Sequence, residues 1–246
     1  MVKGKNQIKK WLSVFGYGLT NPIALLNIYR VKRNRLTYLS YSKLVSLSRY
    51  FQKLRRRKIN GMLIEAGCAL GGSAIILSLL KEKNRKFHIY DTFTQIPPPT
   101  SKDEQDAFER YQVIHGGKAK GIKNDRYYGY EENLIEKVEQ NFRKFNLPLK
   151  ENNIAFHQGF FRDKLNISET VAFAHIDSDW YDSIFITLDR IVPHLAVGGF
   201  LVIDDYYDWR GAKKATDDFF SGKEEHFEFI VGPQLAIRKI SRSYFV

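Results

Sequence analysis

The sequence predicts an α/β protein with a mainly parallel sheet, and three observations carry that prediction. Short apolar runs recur at residues 62–64, 87–90, 153–157, 171–176 and 200–203. Stretches with helical spacing separate them, the pattern of strands joined by crossover helices. Four of the runs end in acids, Glu65, Asp91, the Asp177/Asp179 pair and Asp204/Asp205, and in such sheets ligands bind at the carboxyl ends of the strands. With 246 residues and 43% hydrophobic side chains, the chain suits one sizeable domain with an appendage.

The chain opens on a basic segment. Residues 1–60 carry 15 Lys and Arg and no Asp or Glu, leaving 24 basic against 27 acidic residues in the remainder. The net charge of +12 therefore describes the leader more than the body. Such a leader suits RNA, an anionic membrane surface, an acidic partner or a solvated helical appendage. Residues 11–29 hold no charged side chain, but Gly16, Gly18, Asn21, Pro22 and Asn27 make them a poor membrane span, and no secretory cleavage site follows. We place a basic appendage at residues 1–37 and the main domain at 38–246. From Tyr38 to Arg57 apolar residues recur at helical spacing, so a helix is expected to pack on the body before the first strand.

The stretch 61–73 reads as strand, glycine turn and helix start, with Gly67, Gly71 and Gly72 allowing the backbone to bend. Its G-x-x-x-G-G spacing matches neither the dinucleotide fingerprint nor the phosphate-binding loop, which also needs a Lys. Glu65 ends the first strand. Asp91 ends the second, where a carboxylate takes ribose hydroxyls. Two acids without Lys suit a ligand with a nucleoside and a positive charge, and S-adenosylmethionine fits that description. The lone cysteine, Cys68, is expected to be a small buried turn residue rather than a nucleophile, and it excludes an intramolecular disulfide, consistent with a cytoplasmic protein.

Residues 97–130 read as a long loop in which Gly116, Gly117, Gly121 and Gly129 alternate with Tyr111, Tyr127, Tyr128 and Tyr130. A loop of this length in a compact domain is functional or disordered, and we expect a lid over a substrate. A helix follows at 131–145, a third strand at 153–157 and a loop at 158–163. The fourth strand, 171–176, runs into Asp177-Ser178-Asp179-Trp180-Tyr181-Asp182-Ser183 and a helix to about 195. Gly198-Gly199 leads into the fifth strand and Asp204-Asp205. A helix at 213–220 and two closing strands at 227–231 and 234–239 complete the chain.

Acids gathered at strand ends repel one another unless a hard divalent cation such as Mg²⁺ joins them, and Asp177, Asp204 and Asp205 are the candidate ligands. No two of the six histidines have metal-ligand spacing. His88, His157, His194 and His226 read as structural, and His175, two residues before Asp177, is the histidine that could reach the site.

Taken together, Glu65-Ala66-Gly67 with Gly71-Gly72, Asp91-Thr92-Phe93 before the proline run, Gly159 to Asp163, His175 to Ser183, and Gly198-Gly199 before Ile203-Asp204-Asp205-Tyr206 resemble the macrocin O-methyltransferase family over about residues 38–239. The resemblance implies a Rossmann-like class I methyltransferase fold with a seven-stranded sheet and helices on both faces. It implies S-adenosylmethionine and Mg²⁺ as cofactors, metal ligands at Asp177, Asp204 and Asp205, and a general base at Asp179. Cofactor contacts are implied for Glu65, Ala66, Gly67, Asp91, Thr92 and Gly159. The implied reaction is methylation of a sugar hydroxyl on a glycoside, polysaccharide or antibiotic. Ser178 and Trp180 stand where the family more often has Gly and Leu. Expected partners are a small-molecule or glycan acceptor and a second copy of the chain, with no nucleic acid and at most weak contact of the basic N-terminus with a membrane surface. Two rival readings are a metal-dependent glycosyltransferase using the Asp177/Asp179 pair, and a basic RNA- or membrane-binding module.

Overall fold

The structure is a computed structural model that describes residues 21–241. Its strands are β1 Met62–Ala66, β2 Phe87–Asp91, β3 Ile154–Gln158, β4 Val171–Ile176, β5 Leu195–Ile203, β6 Phe227–Ile230 and β7 Leu235–Lys239. They form one sheet in the order β3-β2-β1-β4-β5-β7-β6. β1 to β5 are parallel, and β7 runs antiparallel to both of its neighbours. The order reverses between β1 and β4, so a crevice opens beyond their carboxyl ends.

The helices are α1 Pro22–Arg33, α2 Tyr41–Arg56, α3 Gly72–Leu80, α4 Gln105–His115, α5 Leu134–Lys144, α6 Phe161–Lys164, α7 Tyr181–Ile191 and α8 Arg210–Phe220. Strand residues alternate between the two faces, as a period of two requires. Leu63, Phe87, Ile89, Phe173 and Val202 pack against α1, α2, α3 and α5. Ile64, Tyr90, Ala174, Ile176 and Ile203 pack against α7 and α8. In α2, Leu44, Leu47, Phe51 and Leu54 are fully buried, each burial stabilising by about 1.5–3 kcal/mol.

Residues 21–37 do not stand off from the body. Asn21 caps α1 by accepting from Ile23 N–H at 2.9 Å, and Ala24, Ile28 and Val31 enter the same core as α2 and α3. The basic residues Arg30, Lys32 and Arg33 lie in the last turn of α1, where they suit the helix dipole. Residues 1–20, which hold the rest of the basic leader and the start of the uncharged stretch 11–29, lie outside the described residues. No helix among the described residues is long and apolar enough to cross a membrane.

The structure corrects one element. Residues 97–130, read as a loop, contain α4 and a small core of their own, in which Ile114, Ala119 and Tyr127 are buried. Tyr130 Oη donates to Ile114 O at 2.6 Å and accepts from Ala119 N–H at 3.1 Å. The tyrosines placed in a lid from sequence thus partly serve its own packing, and their irregular spacing hid the helix from a periodicity test.

Candidate active site

The turn after β1 is built by glycine and an acid from the next strand. Gly67 has a φ of +86°, and a Cβ there would lie 1.8 Å from the carbonyl oxygen of Asp177, so the tips of β1 and β4 meet only over glycine. Asp91, at the tip of β2, accepts from the Cys68 and Ala69 N–H groups at 2.7 and 3.3 Å and from Phe93 N–H at 2.8 Å. Burial raises the Asp91 carboxyl above its ordinary range, and the three N–H donors work against that rise. Cys68 is buried, and burial beside Asp91 pushes its thiol well up, which leaves it inert.

Glu65 and His175 lie beneath this turn. Both are fully buried. His175 Nδ1 meets Glu65 Oε1 at 2.9 Å and Ser73 Oγ donates to the same oxygen. His175 Nε2 stands 3.9 Å from Asp204, an ion-pair distance rather than a hydrogen bond. Burial opposes charge on the imidazole, but Asp204 and Glu65 outweigh it and hold the ring protonated above its usual pKa. His175 is therefore a buried counter-ion between two acids and not an accessible base. Glu65 supports the turn from below rather than facing the cleft.

A cleft of about 790 Å³ opens above these residues, lined by Gly67, Cys68, Ala69, Asp91 and Thr92 and by the acids Asp177, Asp179, Asp204 and Asp205. Asp177, Asp179 and Asp205 each present an oxygen within 4.8 Å of the others. Asp205 also belongs to a second convergent group with Asp204 and Asp208, so it links the two. Lys43, from the first turn of α2, sits on that second group, 2.7 Å from Asp204 Oδ2 and 2.5 Å from Asp208 Oδ2. Gln234 donates to the other oxygen of Asp204.

These contacts divide the acids electrostatically. Burial and then the carboxylates of Asp204 and Asp205 push Asp177 well up, while burial and then Asp179 and Asp204 do the same to Asp205. Asp179 is raised to about 6 by burial and by Asp204. In Asp204 burial is outweighed by His175 and Lys43, which hold it below the usual carboxylate range. Asp179 occupies left-handed backbone, φ +53°, a strained conformation for a non-glycine residue. Its N–H donates to Asp205 Oδ2 at 3.2 Å.

Of the residues expected from sequence to touch the cofactor, Gly67, Asp91 and Thr92 line the cleft. Glu65, Ala66 and Gly159 do not line it. Sequence reasoning did not find Lys43, Trp209 and Arg110, which also line the cleft. Nothing local in the basic amphipathic helix at 38–57 distinguishes Lys43 from its neighbours. Its role follows from the packing of α2 beside β5.

A sequence model described as Macrocin-O-methyltransferase (TylF) matches residues 33–228. The chain is 26% identical over 192 residues to demethyldecarbamoylnovobiocin O-methyltransferase of Streptomyces niveus, covering 76% of this chain and 68% of that one. It is also 26% identical over 174 residues to 8-demethyl-8-(2,3-dimethoxy-alpha-L-rhamnosyl)-tetracenomycin-C 4'-O-methyltransferase of Streptomyces olivaceus, covering 65% of this chain and 61% of that relative's length. Among solved structures, the O-methyltransferase NovP superposes with a TM-score of 0.64 at 24% identity over 80% of each chain. That likeness shows the shared class I methyltransferase fold. Because the family match spans most of the chain, the protein belongs to the macrocin O-methyltransferase family and is an O-methyltransferase.

Proposed function

We propose that this enzyme moves the methyl group of S-adenosylmethionine to a sugar hydroxyl, with Mg²⁺ held by Asp177, Asp204 and Asp205 and with Asp179 as general base. The observation that carries the reading is a pair of convergent acid groups, Asp177/Asp179/Asp205 and Asp204/Asp205/Asp208, joined through Asp205 beside the cleft that also contains the Gly67 turn and Asp91. The donor set fits a hard cation. The acids are carboxylates that burial, and then their mutual repulsion, keeps well above their ordinary pKa at Asp177 and Asp205, and Asp205 is common to both convergent groups. The Gly67 turn and Asp91 fit a nucleoside cofactor, because Asp91 keeps acceptor capacity beyond its three N–H partners and the cleft volume suits a ligand of that size. Tyr127, Tyr128 and Trp180 provide flat aromatic walls suited to a sugar ring. One relative's name specifies a rhamnosyl acceptor, which supports the same acceptor class here.

When bound, S-adenosylmethionine supplies an activated methyl on sulfur, and Mg²⁺ supplies a Lewis acid that makes a hydroxyl more acidic. Asp179, at the edge of the acid cluster, takes the hydroxyl proton as general base. The Gly67–Ala69 turn and Asp91 would hold S-adenosylmethionine, which supplies the methyl group to that oxygen and leaves as S-adenosylhomocysteine. Asp91 fixes the Cys68–Ala69 turn against which the cofactor lies. Lys43 and His175 balance Asp204, so that the acid cluster tolerates burial.

The test is methylation of a deoxysugar glycoside with Mg²⁺ and in excess EDTA. Chelation should abolish turnover, Asp204→Asn should weaken Mg²⁺ binding without weakening that of S-adenosylhomocysteine, and Asp179→Asn should bind Mg²⁺ yet lose about 10² to 10⁴ in rate. Full activity in EDTA removes the metal. Loss of Mg²⁺ binding in Asp179→Asn and not in Asp204→Asn would make Asp179 the third ligand.

A further inference from the structure

The two helices that follow the acid-bearing strand ends begin without a cap of their own. α7 starts after Trp180 and α8 after Trp209, and neither side chain accepts a hydrogen bond from its helix. Indole has no acceptor to offer the free N–H groups of a first helical turn. The acceptors come from the insertion instead. Asp103 Oδ1 accepts from Tyr181 N–H at 2.7 Å, while its Oδ2 accepts from Thr100 N–H at 2.9 Å. Asp106 Oδ2 accepts from Arg210 N–H at 3.2 Å.

The junction is buried and closely built. Asp103 is 8% exposed. A Cβ on Gly211 would lie 2.3 Å from Asp103 Oδ1, so the first turn of α8 closes over the bond between Asp103 and α7 only because it carries glycine there. Trp180 Nε1 donates to Pro97 O at 2.8 Å, and its ring meets that of Trp209 edge to face at 5.3 Å. Asp179 stands two residues before Tyr181, and its N–H reaches Asp205 at 3.2 Å. The backbone position of Tyr181 therefore bears directly on where Asp179 sits relative to Asp205.

We infer that Asp103 and Asp106 are positioning residues that cap α7 and α8 from the insertion and so hold the Asp177–Asp179 and Asp204–Asp205 loops in register with each other. The start of the insertion is then a strut for the acid cluster. Asp103 carries most of the effect, because it is buried and its bond is the shorter. Its kinetic consequence rests on the reading of Asp179 as base, since a misplacement of about 1 Å in a reacting group costs about 10² in rate.

The experiment uses the full-length chain as wild type, Asp103→Ala, Asp103→Asn and Asp106→Ala. Amide hydrogen exchange is followed at Tyr181 and Arg210, S-adenosylhomocysteine affinity by calorimetry, and kcat and KM with saturating Mg²⁺. Asp103→Ala should lose protection at Tyr181 and about 10- to 100-fold in kcat, with cofactor affinity within about twofold of wild type. Asp103→Asn, whose amide oxygen still accepts, should recover most of both. Asp106→Ala should lose protection at Arg210 with a smaller fall in kcat. Retained protection at Tyr181 in Asp103→Ala overturns the cap, and unchanged kcat with protection lost overturns the positioning role. A wild type that transferred no methyl would instead refute the proposed reaction, while the exchange result would still decide the cap.

Discussion

At the scale of single residues, Asp91 shows how one carboxylate both lines the cleft and builds the turn beside it. Its two oxygens accept from Cys68, Ala69 and Phe93 N–H groups, so removing the carboxylate leaves three N–H donors, two of them buried, without their acceptor. Asp91→Ala is expected to weaken S-adenosylhomocysteine binding by about 1.5–3 kcal/mol, roughly 10- to 100-fold, and to lower the thermal midpoint as well. Calorimetric affinity equal to wild type would remove Asp91 from the cofactor side. Gly67 makes the harsher case. Its missing Cβ leaves 1.8 Å to the Asp177 carbonyl, a gap no side chain survives, so Gly67→Ala should separate the tips of β1 and β4 and abolish both cofactor binding and the acid cluster. A folded Gly67→Ala variant with normal affinity, seen by calorimetry and circular dichroism, would contradict that close approach.

At the scale of elements, the insertion divides into a fixed part and a part suited to movement. Residues 97–107 are tied down by Trp180 on Pro97, by Tyr181 on Asp103 and by Arg210 on Asp106. Beyond α4, Lys118, Lys120, Lys123 and Arg126 are exposed, and Lys123 and Asn124 take positive φ. Trypsin should cut between 118 and 126 and spare Lys102, and S-adenosylhomocysteine with acceptor should slow the cuts if this tip closes over the substrate. Equal rates with and without ligand would limit the insertion to its strut. The division also explains what sequence could reveal. β4 was legible to the residue because a run apolar in all but His175 fills Val171 to Ile176 ahead of Asp177, and the acids at the tips of β4 and β5 stood out as D-x-D and D-D. The contacts of Asp103 and Asp106 were not legible, since both acids lie in a stretch that reads as loop and nothing local says that they cap helices distant in sequence. β5 begins at Leu195, earlier than the apolar run 200–203 suggests, because Gly198-Gly199 reads as a turn while the backbone passes through it as strand.

At the scale of the whole molecule, charge is segregated and the segregation sets how stability responds to pH and metal. The basic N-terminal layer sends Lys43 to the sheet tip, where it neutralises Asp204 and Asp208, but Asp177, Asp179 and Asp205 remain a repelling set on the two strands at the middle of the sheet. Asp179 titrates at about 6 in the folded protein against an ordinary 3.8, and Asp177 and Asp205 are shifted the same way. Between those values the folded state binds more protons than the unfolded chain, so stability falls as pH rises through this window, and the full penalty is present above the folded pKa. A divalent cation relieves the same repulsion only once the protons have left, since ligands must be deprotonated to bind. Mg²⁺ should therefore stabilise strongly at pH 7.5 and weakly at pH 5. At 100 times its dissociation constant the gain is about 2.7 kcal/mol, and at about 2–4 °C per kcal/mol for a chain of this size the thermal midpoint should rise by roughly 5–10 °C. Asp205→Asn, which removes the acid shared by both convergent groups, should raise the midpoint of the metal-free protein at pH 7.5 and erase the Mg²⁺ increment. An equal Mg²⁺ increment at both pH values, or none at pH 7.5, would show that the carboxylates at the tips of β4 and β5 do not gather a cation.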